Sequence, residues 1–95
     1  MATLIRVDGT TADVTLPAGP GALAQLQALV GGYIEVLRLR DGRFLVLNED
    51  GKRDQPLNRL ASVLAAGQLA PGDYIVGDVV VCTVSDPGTD DERWS

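Results

Sequence analysis

Positive charge is scarce in this chain, and most of it falls in two stretches. Lys52, Arg53 and Arg59 accompany Asn48 and Asn58 in one, and Arg38, Arg40 and Arg43 make up the other. An Arg guanidinium forks onto phosphate oxygens and Lys supplies a point charge. An Asn amide offers both a donor and an acceptor to a base edge or a backbone carbonyl. Tyr33 could stack on a base. Tyr33, Asn48, Lys52, Asn58 and Arg59 therefore form a candidate ligand-binding set, with Arg53 as a further phosphate contact. Asn58-Arg59 should fall in the first turn of a helix opened by Pro56, where free N–H groups and the helix dipole favour an anion. The same two residues have a competing use, tying that turn to the sheet through backbone hydrogen bonds.

Other chemistry finds little to work with. The chain has no His and one Cys, which rules out Ser-His and Cys-His nucleophile pairs and argues against a transition-metal site. Gly19-Pro20-Gly21 is too short for a dinucleotide fingerprint, and no phosphate loop ending in Lys-Ser or Lys-Thr occurs. Glu49, Asp50 and Asp54 read as solvated turn carboxylates, and Asp90, Asp91 and Glu92 as a solvated charge run. Cys82, inside a valine run with no basic neighbour, reads as an inert core thiol. An enzyme would need an acid–base pair drawn from Glu35, Glu49, Asp50 or Asp78. The expectation is a protein without catalytic residues, cofactor or metal.

The elements that must position these residues follow from periodicity. Thr3–Val7 alternates, Asp8-Gly9 signals a turn, and Ala12, Val14 and Leu16 return as a second strand. Leu23, Leu26, Leu29 and Val30 recur at helical spacing, so Gly21–Val30 is read as a helix stopped by Gly31. Tyr33–Arg40 and Arg43–Asn48 form a hairpin around Asp41-Gly42. Leu57, Leu60, Val63 and Leu64 define a second helix face, ended by Gly67. Ile75–Val84 is a buried strand broken at Gly77. The predicted fold is α+β: a small, single, mostly antiparallel sheet in the order ββαββαβ, with the helices on the sheet.

The chain has 95 residues, room for one domain, assigned to residues 1–84. Residues 85–95 read as an acidic, partly disordered tail. Hydrophobic residues make up 45% but aromatics only 4%, so the core must come from Val, Leu, Ile and Ala. So thin a core gains from homo-oligomerisation. The net charge of −5 argues against duplex nucleic acid and membrane surfaces as partners. There is no apolar run of spanning length and no signal-peptide pattern, which points to the cytoplasm.

Four motifs occur in a telling order: Val30-Gly31-Gly32-Tyr33-Ile34-Glu35, Leu47-Asn48-Glu49-Asp50-Gly51-Lys52, Pro56-Leu57-Asn58-Arg59 and Ile75-Val76-Gly77-Asp78. Over Leu26–Val81 the chain resembles the family known as domain of unknown function 3846. The first hairpin matches that family in pattern only, and Pro71–Tyr74 departs from its usual acidic-Gly turn. The resemblance implies a small accessory protein carried by bacteriophages, plasmids and other mobile elements. In that setting two functions are expected. One is a homo-oligomer that counters host defence by sequestering an anionic nucleotide. The other is an interaction module that contacts a host protein through its acidic surface, including Asp86–Glu92.

Overall fold

The computed structural model describes residues 2–17, 19–39, 42–51 and 54–83. The chain forms five strands: β1 (Ala2–Ile5), β2 (Thr11–Val14), β3 (Ile34–Arg38), β4 (Phe44–Asn48) and β5 (Val79–Cys82). They form one antiparallel sheet in the order β2-β1-β5-β4-β3. Helices α1 (Pro20–Val30) and α2 (Arg59–Ala65) complete the ββαββαβ order, and a 3-10 turn, Ala66–Gln68, follows α2. No helix among the described residues is long and apolar enough to cross a membrane.

The helices lie on opposite faces of the sheet. On the first face, Ala22 and Leu26 of α1 pack against Ala2, Leu4, Val14, Val46, Val80 and Cys82. On the second, Ala61 and Ala65 of α2 meet Ile5, Leu45, Val79 and Val81. Strands covered on both sides need apolar residues at every position, hence the unbroken runs Phe44-Leu45-Val46-Leu47 and Val79-Val80-Val81-Cys82. Edge strand β2 keeps strict alternation, with Thr11 and Asp13 exposed.

Three local devices set the chain's path. In the first turn the Thr10 backbone N–H and hydroxyl donate to Asp8 Oδ1 at 2.9 and 2.6 Å, which holds the Asp8 carboxyl below its ordinary value. Gly31 ends α1 in the left-handed region (φ 85°), and the N–H groups of Gly31 and Gly32 both return to the Gln27 carbonyl. Val7 N–H donates to Asp78 Oδ1 at 3.0 Å and fastens the exit of β1 to the entrance of β5.

The second helix differs from its expected form. It is one turn shorter at its start, and its buried face is Ala61 and Ala65. Leu60 and Val63 stay exposed at 39% and 72%, and Leu57 lies outside the helix, bridged to Val76. Ala61 and Ala65 are the helix residues fully buried against the sheet. Of the larger residues that set the helical period, Leu64 packs against this core and the others stay exposed. The last strand is also shorter than expected: Ile75 and Val76 precede the Gly77 kink instead of joining β5.

Cys82 is fully buried, and burial pushes its thiol from the ordinary value near 9 up to about 11. The unfolded chain then loses this proton at lower pH than the folded one. The contribution is complete below pH 9 and disappears as pH rises through about 11. Denaturant melts between these limits should show an alkaline loss of stability that the Cys82→Ala variant lacks. A thiol reagent should label native Cys82 no faster than the protein unfolds.

Candidate functional site

Asn58 sits at the end of the loop that enters α2 and is fully buried. Its Oδ1 accepts from the Ala61 N–H at 3.1 Å and caps the helix. Its Nδ2 donates to the Ile5 carbonyl at 3.1 Å and to the Gly77 carbonyl at 2.8 Å. Its backbone N–H reaches the Ile75 carbonyl at 2.8 Å. The Ser62 hydroxyl joins the knot, accepting from the Ile75 N–H at 2.9 Å and donating to the Asn58 carbonyl at 2.8 Å. Of the two uses open to Asn58, the structure shows the architectural one, since every polar atom of its side chain is bonded inside the protein.

Asn48 lies at the end of β4, on the α1 face. Its Nδ2 donates to the Val30 carbonyl at 3.1 Å and its Oδ1 accepts from the Asp50 N–H at 2.8 Å. Gly32 leaves room for this amide, because a Cβ there would stand 2.9 Å from Asn48 Nδ2. Tyr33 is 73% exposed beside it, and Arg59 is exposed at the first turn of α2. Asn48 and Asn58 thus serve opposite faces of the sheet. Lys52, Arg53, Arg40 and the tail 85–95 lie outside the described residues.

Gln55 is a centre that pattern reading missed. Its Nε2 lies 3.5 Å from the Val30 carbonyl, which also receives the Asn48 amide. Its Oε1 is buried, has no hydrogen-bond partner among the described residues, and rests against Gly51 and Gly77. Gly77 holds φ 74°, and any Cβ there would run into Gln55 Oε1. The glycine interrupting the predicted strand was the available signal, and the close approach it permits is to this side chain.

A groove of about 410 Å³ lies beside these residues on the α2 face. α2 has only seven residues, about 10 Å of helix, and none of them lines this groove. Leu37 of β3, Leu47 of β4, Leu69 and Ile75 supply its apolar lining. Tyr74, 45% exposed, forms part of the wall. The charged lining residues described are Glu35, Glu49, Asp50 and Asp73, all carboxylates. Such a groove suits a ligand that combines apolar and cationic groups.

A family model described as a domain of unknown function (DUF3846) matches residues 1–93. The chain belongs to this family. Neither a curated protein nor a solved structure matches it. The DUF3846 match extends beyond Leu26–Val81 to take in the first hairpin. All four motifs that carried the resemblance meet where α1 ends, β4 ends and α2 begins, through the contacts of Asn48, Asn58 and Gly77.

Asn58→Ala should destabilise the domain by about 3 kcal/mol or more, since it removes a cap and two buried hydrogen bonds and leaves carbonyls unpaired. Urea melts would measure this. Gly77→Ala should cost about 1–2 kcal/mol from backbone conformation alone, plus the collision with Gln55. In a Gln55→Ala background only the backbone part should remain, so the double-mutant cycle reports coupling between positions 55 and 77.

Proposed function

We propose that this protein is a non-catalytic binding module that receives a basic, partly apolar segment of a partner protein in the groove beside β3. The observation that carries this reading is the lining: an apolar floor whose described charges are all carboxylates. The volume of about 410 Å³ accommodates a few side chains but no folded surface. A net charge of −5 draws a cationic partner from a distance, and the apolar floor holds it after contact.

A phosphate-bearing nucleotide in the same groove would face Glu35, Glu49 and Asp50 at close range. The amides expected to read its base hold backbone groups instead. The geometry therefore favours the protein-binding reading over nucleotide sequestration. With the mobile-element carriage implied by the family resemblance, the partner is a host protein.

Fluorescence anisotropy with a labelled Lys/Leu-rich peptide tests the proposal. Binding should weaken as salt rises, and a peptide with Glu in place of Lys should not bind. Replacing Glu35 and Glu49 together by Gln should reduce affinity about two- to thirtyfold, the range for two exposed ion pairs. A panel of linear and cyclic nucleotides should give no signal. Nucleotide binding without peptide binding would reverse the assignment.

A further inference from the structure

The groove has an open strand along one side. β3 pairs only with β4 among the described residues and forms one edge of the sheet. The Glu49 N–H donates to the Tyr33 carbonyl at 2.9 Å and the Leu39 N–H to the Arg43 carbonyl at 2.8 Å. Antiparallel bonding alternates along a strand, so Glu35 and Leu37 also direct their backbone groups toward β4. Ile34 and Val36 therefore direct their N–H and C=O groups outward, at the free edge. The side chains of Glu35 and Leu37 meanwhile face the groove.

We infer that the partner segment binds as an added antiparallel strand on β3, a placement that rests on the protein-binding reading above. Backbone bonds to Ile34 and Val36 hold it, and every second side chain falls over the groove. The residue opposite Glu35 is basic and meets Glu35, Glu49 and Asp50. The residue opposite Leu37, two positions away, is apolar and covers the floor. The other sheet edge offers no such combination, because β2 presents exposed Thr11 and Asp13 on the α2 side. A second copy of the chain fits less well. Pairing two β3 edges would bring the carboxylate rims of both copies together on one face.

Backbone methylation of the probe separates strand addition from simple occupation of the groove. The peptide carries Lys and Leu alternately on one face and Thr at every intervening position. In antiparallel pairing its Thr amides point at β3, and its Lys and Leu amides point away. N-methylation of the Thr amides should lower affinity at least about tenfold, while N-methylation of the Lys and Leu amides should leave it unchanged. Val36→Pro keeps the β3–β4 ladder, because the Val36 N–H makes no ladder bond, and gives up only the valine's packing on the α1-face core; with its fold verified by circular dichroism it should lose binding. Equal binding of all methylated forms, still weakened by Glu35→Gln, would overturn strand addition and leave the groove reading standing. Loss on methylating the Lys and Leu amides instead would overturn the antiparallel arrangement. Failure of the unmethylated peptide to bind would remove both proposals. Dimerisation of the free protein that this peptide disperses would assign the edge to a second copy and overturn the inference.

Discussion

A single buried amide holds the second half of this protein together. Asn58 caps α2 with its oxygen and draws the end of β1 and the Gly77 kink together with its nitrogen, while its main chain pairs with Ile75. These groups lie in a region with little water, where an unpaired carbonyl or N–H costs more than a bond gains. A side chain with two donors and an acceptor is the smallest group able to serve all three partners at once. Ser and Asp would satisfy the helix end but could not donate to two carbonyls together. The helix therefore starts where the amide is, and the loop leading to β5 is held against its first turn.

The open groove follows from that arrangement. α2 runs only from Arg59 to Ala65, and none of its residues lines the groove. Residues after the 3-10 turn then return past β3 and β4 toward Gly77, leaving Leu37 and Leu47 half-covered beside Tyr74. Apolar side chains in this position would favour indiscriminate association, and the surrounding carboxylates oppose it by charge. The same charges select for a cationic occupant. A fold whose polar machinery lies mostly inside, at Asn48, Gln55 and Asn58, meets other molecules through an edge and a rim.

The elements were legible wherever one residue type has one physical use. Alternation in β2, continuous apolar runs in β4 and β5, Gly31 after a helical stripe and Gly42 between two strands each led to the observed structure. The second helix was misread because Leu57, Leu60 and Val63 have helical spacing yet face solvent, while alanines carry the contact. Spacing reports which residues share a face and is silent about which face is covered. Hydrophobicity normally settles that, and here two alanines are fully buried while Leu60 and Val63 stay exposed.

The site was less legible for a related reason. Amides and cations near one another in sequence suggested an anion pocket, but an Asn has the same donors and acceptor whether its partner is a ligand or a carbonyl. Sequence alone determines composition, charge balance and the absence of imidazole chemistry, which are sums over residue types, and strand periodicity and turn positions, which depend on residues within a few positions of one another. Tertiary structure decided that Asn48 and Asn58 face opposite ways, that Gln55 lies against Gly77, and that carboxylates from three separate stretches line one apolar groove. Those outcomes depend on which backbone atoms arrive beside each side chain from elements far along the chain, and no short stretch of sequence contains that distance.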